Sequence, residues 1–334
     1  MLKHHHHHHH FRNQCKPPSP PPSPAIPTVV AMSSPPHLSE NTPTVLSNYP
    51  IPLSPQLPAI SKQIELNRAT IATSNSELFS LAQTHIIYED EYLLAVNKPQ
   101  GIYCDNVLTS LQSQSTVGSE LHLANRLDRD TSGVMLITKS HKIASKLVKA
   151  FTDREVKKTY IAFCTGRVPD WKTITVKSGH GRSKFGAWRV YGFSDSGRGL
   201  PGGSVVREME TSFEFLSVNG KGGFREVTEL GFEEGNVVVV EEKAVKMEGD
   251  DENEIVVRAY PRSGRTHQIR LHCQYLGISI IGDVKYEGVY EWKGRVYDGH
   301  HLHAETLSFD HPVTGVRVMF RAPLPQWANQ ALQL

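Results

Sequence analysis

Two short strings concentrate the residue types that could do chemistry. Residues 125–133 read NRLDRDTSG, two arginines and two aspartates in nine positions, and their closing glycine leads into the apolar run 134–137. A loop that feeds a rigid strand is a common place to build a site. Asp128 lies between Arg126 and Arg129, and a carboxylate flanked by cations is favoured as the anion, which suits a nucleophile better than a general acid. An ion-paired surface turn would show the same spacing. Residues 261–272 read PRSGRTHQIRLH, a glycine-containing loop running into a helix start. Helix N-termini bind phosphate through free N–H groups, and arginine adds bidentate donors. Arg270 stands at i+3 from His267, so the two can share a face. His272 reads first as a hydrogen-bonded core histidine and second as a ligand.

The elements that must hold these strings follow from pattern. Residues 85–89 and 92–97 are β-rich runs around the polar turn 89–91, a hairpin closed by Pro99-Gln100-Gly101. Residues 133–138 form a strand. Ser140 then caps a helix carrying Ile143, Ala144, Leu147, Val148 and Phe151 at helical spacing. Residues 158–165 and 254–260 read as further strands, and Thr266 is expected to cap a helix through Leu276 that stops at Gly277. Strands outnumber helices without regular alternation, so the expected class is α+β, with a mixed, largely antiparallel sheet rather than a doubly wound one.

Composition sets the limits. The chain has 334 residues, enough for one large or two ordinary domains. No apolar run approaches the roughly 18–20 residues of a membrane-spanning helix. The four cysteines, Cys15, Cys104, Cys164 and Cys273, form no C-x-x-C pair and no dense framework, which fits a reducing compartment. Net charge is only +2, but residues 226–254 carry eleven acids against two lysines; without them and the leader the core is about +9. A core of that sign suits a polyanionic partner, although solvated surface would look alike. Residues 1–62 hold 14 of the 21 prolines and cannot build a core. They are expected to be a disordered leader, its start a seven-histidine run at 4–10 that reads as a tag or a native tract. A transit peptide there would place the protein in plastid or mitochondrion, and a plain tail in cytoplasm or nucleus. The compact domain is expected over residues 63–334, with an insertion of surface hairpins around 184–254.

Taken together, the two chemical strings resemble RluA-type RNA pseudouridine synthases, whose R-L-D-x-x-T-S-G motif carries the catalytic aspartate and whose R-T-H-Q-I-R-x-H motif carries its arginine partner. Other landmarks of that family occur in order: residues 88–101 (YEDEYLLAVNKPQG), 158–162 (KTYIA), Gly282-Asp283, 303–307 (HAETL) and His311-Pro312. The resemblance spans about residues 85–325. It implies a stand-alone catalytic domain, a curved mixed sheet with flanking helices and a central cleft. Position by position it implies that Asp128 is the catalytic aspartate, that Arg270 pairs with it, and that Tyr160 stacks on the base near the C5 proton. Arg126 would wedge into the RNA where the uridine is flipped out, at a cost of a few kcal/mol. Arg129, Arg265 and Lys98 are the further cations expected to contact RNA. Asn125 stands where many relatives have His.

The resemblance also implies a reaction that detaches uracil, rotates it and rejoins it through C5, an isomerisation needing no cofactor and no metal. The partner is RNA, ribosomal or transfer, and the protein a monomer. Two rival readings stand beside it. One is a metal-dependent hydrolase built from His267, His272, Asp283, His300, His301 and His303, though no H-E-x-x-H pair supports it. The other is an RNA-binding protein without catalysis, against which stand the intact Asp128, Tyr160 and Arg270.

Overall fold

The computed structural model describes residues 49–76, 78–114, 120–227, 235–244 and 253–334. The histidine run and most of the expected leader lie outside these residues. Helix α1 (Ser61–Ser76) leads to a hairpin of β1 (Ile86–Glu89) and β2 (Leu93–Lys98), followed by α2 (Cys104–Gln114). The short β3 (His122–Leu123), then β4 (Ser132–Thr138), α3 (His141–Thr152) and β5 (Lys157–Gly166) complete the first half. The second half holds β6 (Thr173–Arg182), β7 (Trp188–Tyr191), β8 (Arg207–Val218), β9 (Lys221–Gly222), β10 (Asn236–Val239) and β11 (Asn253–Pro261). After α4 (Gln268–Tyr275) come β12 (Ile278–Ile280), a separate ribbon of β13 (Glu291–Trp292) and β14 (Arg295–Val296), β15 (Leu302–Asp310), β16 (Arg317–Arg321) and α5 (Gln326–Leu332).

One sheet runs β1-β2-β4-β15-β5-β11-β8-β6-β10, with β3, β7, β9, β12 and β16 attached along it. Only β4·β15 and β6·β10 pair in parallel among the described strands. This is the expected α+β class. The β1–β2 hairpin forms with Glu89 opposite Leu94.

Local sequence explains how the first half holds its shape. All seven residues of β4 are buried, because α3 covers one face and α2 the other. Leu93, Ala95, Val134 and Leu136 meet Ile143 and Leu147 of α3, while Leu94, Val96, Met135 and Ile137 meet Val107 and Leu111 of α2. A strand buried on both faces reads as an unbroken apolar run, not as alternation. Ser140 caps α3 as expected, its hydroxyl accepting from the Ile143 amide. Gly133 enters β4 at φ +110°, where a Cβ would meet the Ala304 carbonyl of β15 at 2.1 Å. Only glycine lets the chain leave the 125–132 loop flush against β15.

In the second half the two faces differ. Ile174, Val176, Met209, Phe213, Ile255, Val257 and Ala259 turn toward Ile269, Leu271 and Cys273 of α4. On the other face α5 covers only Ile161, Phe163, Leu216 and Val256.

Three expectations need correction. Residues 49–62 belong to the folded domain: Leu53 and Leu57 pack on the core, and Ser54 is buried, its Oγ accepting from Arg189 Nε at 2.8 Å. The stretch 184–254 is no mere surface insertion, since β8 lies between β11 and β6 and buries Met209 and Phe213 completely. Thr266 does not cap α4. The N-cap is His267, in the left-handed conformation at φ 58°, and Gln268 closes the turn instead, its Oε1 accepting from the Arg265 amide at 3.0 Å and the Ser263 hydroxyl at 2.7 Å.

Candidate active site

The loop 125–132 is pinned at many points, and each pin is a residue of its motif. The Leu127 amide donates to Cys104 Sγ, and that thiol donates to the Leu127 carbonyl. The Thr131 amide donates to the Asp128 carbonyl at 3.1 Å, closing a turn that turns Asp128 outward. Thr131 Oγ1 meets His300 Nε2 at 2.8 Å and Ser132 Oγ meets His303 Nδ1 at 2.9 Å. Asn125 Oδ1 accepts from the Leu136 amide at 2.8 Å.

Lys98 completes the clamp. Its ammonium is fully buried and donates to the carbonyls of Pro99, Ile102 and Arg129 at 2.7–2.9 Å. Burial pushes its pKa down to about 8. The expectation of an RNA contact from Lys98 is therefore corrected, since its donors are spent on holding two loops together. Arg129 is corrected likewise: it forks onto Asp130 at 2.6 and 2.7 Å and reaches Glu65 at 3.6 Å, leaving a tenth of its side chain exposed. The neighbours of Asp128 in sequence are thus not its partners in space. Arg126 points outward, 72% exposed and 3.7 Å from Asp105.

The partner of Asp128 comes from α4. Arg270 Nη1 donates to Asp128 Oδ2 at 2.7 Å, while its Nε and Nη2 fork onto Asp283 at 2.6 and 2.8 Å. Arg270 is 5% exposed, Asp283 1% and Asp128 30%. Burial opposes the charge on Arg270, but the Asp283 carboxylate, and then Asp128, outweigh it and hold its pKa well above the ordinary value. Asp283 is the functional residue that sequence reasoning placed only as a landmark and a rival metal ligand. A carboxylate placed beyond the arginine makes its guanidinium a fixed cation.

Two aromatics finish the site. Arg270 lies over the Tyr286 ring at 5.0 Å, and the Tyr286 hydroxyl meets His267 Nδ1 at 2.7 Å. His267 Nε2 is 3.8 Å from Asp128 Oδ2. Burial, then the Arg270 charge, hold His267 far below its usual pKa, so this is a neutral ring beside a carboxylate and not an ion pair. A bare Nε2 lone pair would be repelled by the Asp128 carboxylate, so the favoured tautomer has Nδ1 accepting from Tyr286 and Nε2–H toward Asp128. Tyr160, on β5 opposite Ala304 and Ala259, has its phenol pushed up by burial and then by the Asp128 charge. The structure therefore brings Asp128, Arg270 and Tyr160 into one neighbourhood.

The expected phosphate cradle does not form. Arg262 turns to Glu210 at 3.5 Å, Arg265 Nε donates to the Glu208 carbonyl, and Arg270 points inward, so the three arginines diverge. The six residues of the metal-hydrolase reading are dispersed as well. His272 is wholly buried between Ser178 and Thr211, His301 stacks on Trp327, and among the described residues no group of three His, Cys, Asp or Glu could hold a metal.

The RNA pseudouridylate synthase family model matches residues 92–275, a span that contains Asp128, Tyr160 and Arg270, and the chain belongs to that family. It is 61% identical over 285 residues to RNA pseudouridine synthase 1 of Arabidopsis thaliana, covering 84% of this chain and 87% of that one. The rice protein of the same name, from Oryza sativa subsp. japonica, is 60% identical over 291 residues, 84% of each chain. Among solved structures, human RNA pseudouridylate synthase domain containing 1 shares the fold, with a TM-score of 0.52 at 21% identity over 74% of this chain and 87% of that one. The protein is an isomerase, a pseudouridine synthase, and the metal-hydrolase and non-catalytic readings are not favoured.

Proposed function

We propose that Asp128 carries out the isomerisation of a uridine within RNA. The observation that carries the assignment is the division of its carboxylate: Oδ2 is held by Arg270 at 2.7 Å, whereas Oδ1 has no hydrogen bond among the described residues and the side chain stays 30% exposed. Oδ1 is thus the oxygen free to act on the nucleotide. The N1–C1′ bond breaks, uracil turns, and a C5–C1′ bond forms; the C5 proton leaves and N1 gains one, so composition is unchanged.

Arg270 is the positioning cation, fixed by Asp283. Tyr160 offers the flat face on which a base stacks, and His267, held by Tyr286, borders Asp128. Arg126, exposed and beside Asp105, supports the wedge role in extruding the uridine, whose unstacking costs a few kcal/mol. More distant relatives, about 27–28% identical, are named ribosomal large subunit pseudouridine synthase C, which supports ribosomal RNA as the substrate class, with transfer RNA as the alternative.

The test is tritium release from transcripts carrying 5-tritiated uridine, because each turnover expels the C5 hydrogen. Wild type releases tritium and Asp128→Ala does not. Equal release from both would overturn the assignment.

A further inference from the structure

Strand alternation sorts the second half of the sheet into an α4 side and a reverse side. On β6 the residues facing α4 are Ile174, Val176 and Ser178, so Thr173, Thr175 and Lys177 point the other way. On β8 the reverse residues are Glu210, Ser212 and Glu214, on β11 Arg258 and Tyr260, and on β15 Thr306 and Ser308. Beyond the reach of α5 these residues line a groove of about 860 Å³. An antiparallel sheet commonly leaves one face to water, so polarity alone means little here. The sign and depth of this groove mean more.

Among the described residues, nine basic and three acidic side chains line it. The acids are already shared: Glu214 meets both Arg258 and Arg225, and Glu210 lies between Lys177 and Arg262. Lys157 and Lys172 are exposed and have no acidic partner among the described residues. Hydroxyls of Thr159, Thr173, Thr175, Ser212, Thr306 and Ser308 stand between the cations. Cations interleaved with neutral donors are the chemistry of phosphodiester recognition, in which contacts go to phosphate oxygens without reading bases.

The groove also connects to the active site. Arg154 lines it and reaches Glu208 Oε2 at 3.9 Å, and Arg265 Nε donates to the carbonyl of the same Glu208 at 3.1 Å. Arg265 is two residues from His267, whose ring borders Asp128. A cationic path thus leads from the Asp128 side, over residues 262–267, to the reverse face.

We propose that this reverse-face groove binds the phosphodiester backbone of the substrate RNA outside the target uridine. The inference rests on the RNA-modifying reading above, but it concerns a different surface, and binding and catalysis are read separately. The experiment uses the full chain and a tRNA-length transcript, with dissociation constants measured across a salt series and tritium release followed in parallel. The double variant Lys157→Glu/Lys172→Glu is expected to weaken binding about tenfold at moderate salt and to lower the salt slope by about 1.5, from two phosphate contacts at roughly 0.7–0.9 each. Lys157→Gln/Lys172→Gln should shift both in the same direction by less, with an unchanged thermal midpoint showing that the fold is intact. Asp128→Ala should keep wild-type affinity and slope. Unchanged affinity and slope in the double variants would overturn the groove while leaving the catalytic assignment standing. Wild type that binds with this lysine dependence but releases no tritium would overturn the assignment and keep the groove.

Discussion

The two faces of β5, β11, β8 and β6 are made by the same strands and the same alternation, yet they have opposite characters. Under α4 the face is dry: Val257, Phe213 and Leu271 are fully buried, and the arginine of α4, Arg270, is locked between two carboxylates at its edge. The reverse face is wet and cationic, and its buried arginine, Arg258, serves a closed network with Glu305 and Glu214. Water exclusion strengthens a few fixed charges and so suits chemistry. An open cationic face gives many weak contacts, which suits holding a long polyanion. Each prediction below attacks one face and asks whether the other notices.

The largest effect belongs to Asp128. Asp128→Asn keeps the shape of the side chain and removes the carboxylate, and tritium release should fall about 10³-fold or more, in the range lost with an acting acid–base or nucleophilic group. RNA affinity should hold, because the reverse face is untouched. A variant with more than a tenth of wild-type activity would break the distinction.

Next come the two buried arginines, compared as a pair. Arg270→Met strands Asp283, which is 1% exposed, whereas Arg258→Met leaves Glu305, also 1% exposed, with Arg321 at 3.8 Å and the Thr159 hydroxyl. Breaking a buried pair from one side costs about 3–5 kcal/mol, so the unfolding free energy from urea titration should drop by about that much in Arg270→Met and by less in Arg258→Met. Tritium release per folded molecule should collapse only in Arg270→Met. Arg270→Lys should not rescue it, since an ammonium lacks the planar fork that spans Asp283 and Asp128.

Much of this contrast was legible in the residues, and the limits are physical. Asp128 and Arg270 were found from two local strings and from the resemblance they support. The α3 cap at Ser140 was legible because one hydroxyl and one amide three residues on settle it. Thr266 failed as a cap because Gln268 closes the turn first, a competition between side chains that spacing does not weigh. Lys98 and Arg129 looked like RNA contacts because a cation in a sequence carries no sign of the carbonyls and carboxylates that will surround it. Asp283 and Tyr286 join the site only when the chain after α4 returns beneath it. The strand β8 was misplaced at the surface although Met209, Thr211 and Phe213 alternate correctly with polar residues; its reverse side is polar because that side is the groove.

Acid should discriminate between the faces as well. Burial pushes His180 and His303 down to about 4 and His272 to about 3; His272 is on α4 itself and His180 is on β6 beside it, bonded to the Thr266 carbonyl. An unfolded chain protonates them near 6.5. Between pH 6.5 and 4 the unfolded state therefore binds protons that the native state does not. The stabilisation is complete above 6.5 and is lost as pH falls toward 4. Urea unfolding at pH 7.5, 6 and 5 should show steadily lower midpoints, and a flat profile would contradict the neutral, buried assignment. No imidazole lines the groove among the described residues, so histidine protonation leaves its charge unchanged.

The smallest effect is the sharpest comparison, because it removes one hydroxyl from each face. Tyr286 Oη meets His267 at 2.7 Å and Tyr260 Oη donates to Glu214 at 2.8 Å. Each loss should cost about 1 kcal/mol of stability, the usual net worth of a single hydrogen bond. The catalytic consequences should differ. Without Tyr286 Oη the His267 tautomer loses one of its two supports, so Nε2–H is held less firmly toward Asp128 Oδ2, and Tyr286→Phe should lower the tritium-release rate several-fold with little change in RNA affinity. Tyr260→Phe removes a donor to a carboxylate that Arg258 and Arg225 still hold, and its rate should stay at the wild-type value. Equal rates in the two variants would mean that His267 is only a wall of the site, and that Arg270 alone orients the carboxylate.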